Sequence, residues 1–524
     1  MDNILLNCLV VRIFTSFRRV YSQSVLSRFF SGIKEAYLKS VLCRLLCGIL
    51  SRPSKAQDSR LYKILDKFNC ALSRFGTRIC HTCVNSFIYR VCSGINNSKF
   101  LAKSAAFRFV KSLGLRGALI ACFGMYLPID FIVRDVLNSS LLGSVWDELF
   151  MGVCILYILG RIAFSGDRPV KPRISPLDAP LSLFLAIGVL VLAMVSPYMG
   201  IAISGYRAVC QFMLWFFVLT RLIEDDRDLK IFFLSFCFMG IFVALHGVYQ
   251  YITGAPMPST WVAAAEKTGM RTRVYSITGS PNIMGALMIM VAPAFAALAY
   301  YVKTPKAKLF AWCATAVVCV AALLTFSRGA WFGLAIAVVL FCLLVDIRLL
   351  FLAAIAVFGL IVFVPAIGTR IGFLFTSEFE HANNNGGRAG RWEIGLNLLS
   401  KNPVWGFGLG RFGGAIAMQN QTEAGLQYFY MDNYYLKTLV EMGYVGLSAY
   451  ILLLLSNIVN SLKGFFQSRK TRLCLLAVGL FCGMAGVLAH SYFENIFEVP
   501  YMNAYFWGMS AAIMYVCYFR KKEI

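Results

Sequence analysis

Residues 281–301 read PNIMGALMIMVAPAFAALAYY, twenty-one residues without a formal charge. About 20 consecutive apolar residues suffice to carry a helix across the hydrocarbon core of a bilayer. Lipid offers the backbone no hydrogen-bond partner, so such a run spans as a helix unless a closed barrel replaces it. The period-2 alternation of a barrel is absent. Working outward, similar runs fall near 117–133, 142–162, 179–198, 200–220, 231–252, 308–325, 329–346, 349–366, 434–456, 473–490 and 500–519. Composition agrees: 59% of the 524 residues are hydrophobic and 14% charged, against about 25% charged in a soluble domain. The expectation is an all-α, polytopic integral membrane protein with about 12 transmembrane helices.

Charge placement orients it. The formal net charge is +25, which by magnitude alone would suit nucleic acid. Twenty of the 50 Lys and Arg, against four acidic residues, precede residue 117. Phrases such as Ser24-Val25-Leu26-Ser27-Arg28 and Ser40-Val41-Leu42-Cys43-Arg44 return apolar residues at helical spacing between the basic ones. Residues 1–116 therefore read as a basic, cytoplasmic, membrane-surface helical region resting on anionic lipid. No nucleic-acid-binding module accompanies the charge. With the N-terminus inside, eighteen more basic residues fall in six inner segments: 161–173, 221–230, 303–308, the turn at Arg348, 463–472 and the tail after Phe519. That positive-inside bias supports both the count and the orientation. Asp226-Arg227-Asp228, after Glu224-Asp225, reads as a solvated charge run in an inner loop. The 17 cysteines are scattered, mostly within apolar stretches, as reduced small hydrophobes. Cys80 to Cys83, with His81 between, lacks the second pair of a zinc site. The short apolar stretch Ile4 to Ile13, broken by Arg12, is not a cleavable signal.

Residues 117–524 form the expected transmembrane domain. Two external segments, about 253–280 and 367–433, are long enough for chemistry. The second lies between the ninth and tenth spans and is rich in aromatics. It contains Gly387-Arg388-Ala389-Gly390-Arg391-Trp392 and Asn402-Pro403-Val404-Trp405-Gly406-Phe407-Gly408-Leu409-Gly410-Arg411-Phe412. Asp432-Asn433-Tyr434-Tyr435-Leu436 and Glu441-Met442-Gly443-Tyr444-Val445-Gly446-Leu447 follow. This series resembles the core of the O-antigen ligase and polymerase superfamily: an Arg four residues before Trp, then Pro-x-x-Gly-x-Gly, then His-Asn and Gly-x-x-Gly nine residues on. Arg273-Val274 with Gly279-Ser280-Pro281-Asn282, and Ser327-Arg328-Gly329-Ala330, look like its upstream elements. The likeness covers roughly 180–515.

The resemblance implies a metal-independent glycosyltransferase without a cofactor. It would transfer glycan from undecaprenyl pyrophosphate to an acceptor sugar hydroxyl at the outer face of the cytoplasmic membrane. Its implied partners are the lipid-linked glycan, membrane lipids, an acceptor glycan or lipid, and other polysaccharide assembly proteins. Breaking the bond from the anomeric carbon to phosphate builds negative charge on a diphosphate, which forked guanidinium donors stabilise. Arg328 and Arg388 lead for that role, followed by Arg273, Arg391 and Arg207. Where the family has its catalytic His, this chain has Asp432, the leading base, and the change points towards a polymerase or cell-wall ligase. Asn282, Asn433, Trp392, His490 and Glu494 complete the expected substrate-binding set, with Trp405, Tyr428 and Tyr430 as further stacking aromatics.

Plainer readings stand beside these. Outer-end arginines can snorkel to lipid phosphate. Arg388 can pair with Glu378, Glu380 or Glu393. Asp432 can cap the helix that follows it. Glu441, two and a half helical turns further on, suits a structural role. Two other functions fit the twelve spans: a flippase for lipid-linked sugars, or an inactive scaffold in polysaccharide assembly. A flippase would place its charges at the membrane midplane with repeat symmetry.

Overall fold

A computed structural model describes residues 59–84, 104–166, 169–258, 261, 271–363, 365–373, 376, 387–422, 428–468 and 471–520. These belong to one compact unit, Lys55–Ile524. Residues 1–58, Glu378, Glu380 and the side chains of His81 and Cys83 lie outside the described residues, and with them most of the basic N-terminal region and the zinc question.

The described residues are helical, with no strand among them. In chain order the helices are α1 Arg60–Val84, α2 Ala105–Gly124, α3 Tyr126–Phe131, α4 Ser140–Ala163 and α5 Asp178–Met194. Then come α6 Met199–Cys210, α7 Trp215–Leu222, α8 Asp226–Thr253, α9 Pro281–Tyr301, α10 Pro305–Leu324, α11 Arg328–Leu344 and α12 Leu349–Phe363. The chain closes with α13 Pro365–Gly372, α14 Arg388–Leu399, α15 Ala415–Asn420, α16 Tyr434–Ser468, α17 Leu473–His490 and α18 Pro500–Met514.

The twelve expected segments fall on helices, but among the described residues seven helices are long and apolar enough to cross a membrane. These are Leu141–Ala163, Met199–Leu222, Asp226–Thr253, Pro281–Tyr301, Pro305–Leu324, Tyr434–Ser468 and Leu473–His490. The expected first span is broken: Lys111–Gly124 and Tyr126–Val136 meet at 75°. Three others, Asp178–Met194, Arg328–Leu344 and Leu349–Gly359, are shorter. Large apolar side chains such as Leu156, Phe238, Leu245, Phe310 and Phe358 stay exposed on the outer surfaces of these helices. A belt of that extent suits lipid, and with the seven helices it makes this a multi-pass membrane protein.

At the centre stands α9, almost wholly buried between α10, α11 and α17. No hydrophobic drive separates helix from lipid inside a bilayer, so close backbone approach must hold the helices together. Glycine supplies it: a Cβ on Gly483 would fall 2.7 Å from the Met290 Cα, and one on Gly486 2.5 Å from the Gly333 carbonyl oxygen. This contact fixes α17, and so His490 at its end, against the start of α11.

The charge run at 224–228 is an ordered staple rather than a solvated loop. Asp228 is 2% exposed. Arg116 reaches Asp225 at 2.8 Å and Asp228 at 3.0 Å and also bonds Glu224, which Arg161 joins. Asp225 and Asp228 form a capping box on α8. Asp226 takes Arg520 at 2.8 Å and the Tyr515 hydroxyl at 3.0 Å. Paired, hydrogen-bonded charge can be buried where lone charge cannot, and pairing is invisible in a one-dimensional run.

Candidate functional site

The site forms where α14, the start of α16 and the α17–α18 turn meet. Leu398, Leu399, Phe412, Met431 and Val440 make a small core that seats α14 on the first turns of α16. The long segment of the sequence motif is therefore woven into the wall of α16 rather than hinged over it as a lid.

That weave depends on a break in α16. Gly443 has φ +65°, and a Cβ there would lie 2.2 Å from the Val404 oxygen. The polar groups freed by the break are taken up by the Pro403–Gly408 strand of chain. Phe407 and Gly408 N–H donate to the Val440 and Glu441 carbonyls at 2.7 and 3.0 Å, and Tyr444 and Val445 N–H to the Pro403 and Val404 carbonyls at 2.9 and 3.2 Å. Buried backbone groups must be paired, so Pro-x-x-Gly-x-Gly and Gly-x-x-Gly are two halves of one lock. Glu441 fastens the next turn. Its Oε1 accepts from Gly410 and Phe412 N–H at 3.0 and 3.3 Å, while Oε2 pairs with the buried Lys437 at 2.7 Å. Glu441 thus ties Gly410, Phe412 and Lys437 to one carboxylate.

Asp432 sits just before α16, 8% exposed. The helix is capped by its neighbour: Asn433 Oδ1 accepts from Leu436 N–H at 3.0 Å. Asn433, an expected substrate-binding residue, thus supplies the cap in place of Asp432. Asp432 Oδ2 instead receives Arg388 Nε at 2.7 Å and Arg391 Nη2 at 3.3 Å. Its Oδ1 is buried without a partner among the described residues. Arg388 also donates to the Phe493 carbonyl at 3.4 Å and lies 5.8 Å from that ring. Arg391 donates to the Tyr430 carbonyl at 3.2 Å.

His490 and Glu494 lie near enough to this pair to feel its charges. His490 is buried, its Nδ1 lacking a partner among the described residues, and a Cβ on Gly329 would lie 2.8 Å from its ring. Arg328 follows the Ser327 cap of α11 and turns its guanidinium over the Phe373 ring at 5.9 Å. Glu494 accepts from Asn282 Nδ2 at 2.5 Å, and Asn282 Oδ1 accepts from Arg273 at 2.9 Å. Burial pushes the Glu494 carboxyl up to about 7. The Asn282 bond opposes that rise, the Asp432 charge adds to it, and Arg388 and Arg273 oppose it. Trp392 packs edge-on against Tyr492 at 5.4 Å, forming one wall.

Two arginines stand elsewhere. Arg273 is 7% exposed and donates to the Thr325 carbonyl at 2.9 Å and the Trp261 carbonyl at 2.8 Å as well as to Asn282. It is a buried tie that positions Asn282. Arg207 pairs with Glu148 and, at 3.0 Å, with Gln211, outside the Arg388–Asp432 group. Sequence reasoning missed the Phe493 carbonyl and ring as a support for Arg388. A backbone oxygen carries no residue-type signal.

The model of the O-antigen ligase family matches residues 313–451. That stretch holds Arg328, Arg388, Arg391, Asp432 and the whole glycine lock, and leaves Arg273, Asn282, His490 and Glu494 outside. No curated protein matches the chain. That match encloses the arginine–carboxylate cluster and the lock that seats it, and it supports the likeness to the O-antigen ligase and polymerase superfamily.

Proposed function

We propose that this protein transfers glycan from polyprenyl pyrophosphate to an acceptor hydroxyl at the outer face of the cytoplasmic membrane. The family match over residues 313–451 supports a polysaccharide ligase or polymerase role. The observation that carries the finer reading is the convergence of Arg388 and Arg391 on one oxygen of Asp432. Two forked cations held by a single carboxylate keep N–H groups for a phosphate oxygen. In this reading the twelve helices all span, both termini lie inside, and the Arg388 cluster opens outside.

As the anomeric bond breaks, Arg388 and Arg391 take up the charge growing on the diphosphate, with Arg328 completing the positive rim. Fixed donors facing developing charge usually contribute the largest catalytic effect. The acceptor hydroxyl must lose a proton. A base works best when its pKa lies near the working pH, and the Glu494 carboxyl, pushed up to about 7 by burial, meets that condition. Asp432 then orients the arginines, and its free Oδ1 accepts a hydrogen bond from the acceptor. Trp392 offers an aromatic wall to a sugar ring.

The test is Arg388→Ala in the native host. Loss of one such donor costs about 10²- to 10³-fold in rate. Surface polymer should fall accordingly while lipid-linked repeat units accumulate on the outer leaflet. Accumulation on the inner leaflet would instead support flipping, and unchanged polymer would remove Arg388 from the chemistry.

A further inference from the structure

At the far ends of the same helices lies a second, unassigned site. Helix α9 runs from Asn282, beside Glu494, to Tyr301, and α17 runs back from Leu473 to His490. At 1.5 Å per residue, the 21 residues of α9 separate the two ends by about 30 Å. Around Tyr301 and Leu473 the surface dips into an open cavity of about 490 Å³. Its charged lining is Asp226, Lys230, Lys303, Arg472 and Arg520, with Thr304 and Thr471 between them. Each basic residue comes from a different chain segment: the first turns of α8, the α9–α10 turn, the α16–α17 turn and the C-terminal tail.

The balance of charge in this cavity is positive. Its one carboxylate, Asp226, is held by Arg520 through three nitrogen–oxygen contacts of 2.8 to 3.1 Å and by the Tyr515 hydroxyl. Lys230, Lys303 and Arg472 add three further cations. Two helices also begin at the wall. The 20-residue α10 starts after Thr304 and the 18-residue α17 after Arg472, and neither has a side-chain cap. Their first N–H groups carry partial positive charge that favours an anion.

We propose that this cavity binds a phosphate group, presented by an anionic lipid headgroup or as free phosphate. Basic pockets between helices at a cytoplasmic face are suited to acidic headgroups. The cavity joins the ends of α8, α9, α10 and α17, so an occupant bridges segments that each bring positive charge to it. The site is independent of the transfer reaction: it would stand if the outer cluster proved inactive.

The experiment uses the full chain, purified and delipidated in a neutral detergent. Thermal unfolding and native mass spectrometry are followed while phosphatidylglycerol, phosphatidylcholine or inorganic pyrophosphate is added. The comparison is the double variant Lys303→Gln with Arg472→Gln, both exposed positions. Lys401→Gln, outside the cavity, is the control. A rise in Tm with phosphatidylglycerol alone, with affinity about 30-fold weaker in the double variant, identifies a lipid headgroup. The same pattern with pyrophosphate identifies free phosphate. Equal responses of wild type and double variant to both probes, or none from either, would overturn the site.

Discussion

Replacing Glu494 by Gln isolates the proton-transfer step. The carboxyl is pushed up to about 7, first by burial. At pH 6 about a tenth of it is ionised, at pH 8 about nine-tenths, so a reaction using the carboxylate should speed up about tenfold between them. Gln keeps the size and can still accept from Asn282, but it cannot take a proton. Its expected loss is about 10²- to 10⁴-fold in kcat, the usual worth of a positioned base, together with loss of the slope. Asn282→Leu supplies an internal check. The Asn282 bond holds the carboxyl down, so its removal should carry the acidic limb to higher pH while the limb itself survives. The sign for stability runs the other way. The folded state holds a proton on Glu494 between the ordinary carboxyl range and about 7, so stability falls as pH rises through that window. The assay is turnover of a lipid-linked donor in nanodiscs from pH 5 to 9. A Glu494→Gln enzyme with wild-type rate and slope, beside an Asp432→Asn enzyme that has lost both, would return the base to Asp432.

Two further outcomes test the scaffold. Gly443→Ala places a methyl against the Val404 oxygen in a left-handed conformation. It should cost more than about 1 kcal/mol, lowering Tm and activity together, and a wild-type melting curve would refute the lock. Lys437→Met leaves Glu441 buried without its cation, which should cost about 3–5 kcal/mol. Adding Glu441→Gln, which keeps an acceptor for Gly410 and Phe412 N–H, should restore part of the yield in detergent. A double variant no better than the single would show that charge pairing is not what holds this turn.

The sequence by itself determined the helical, membrane-embedded class, because 20-residue apolar runs such as 281–301 allow one solution in lipid. It also brought out Arg388, Arg391 and Asp432, because the motifs they stand in resemble those of a known family, and His490 and Glu494 as polar residues in the last outer loop. Only the tertiary structure decided which partners the candidate residues take. Asn433 rather than Asp432 caps α16, Arg273 is spent on backbone carbonyls, and Glu494 is tuned by an amide from a helix start 212 residues away. The 224–228 run turned from solvated loop to staple for the same reason. Periodicity and composition report on what each residue prefers as a neighbour, whereas hydrogen-bond partners and local burial arise only when distant segments meet.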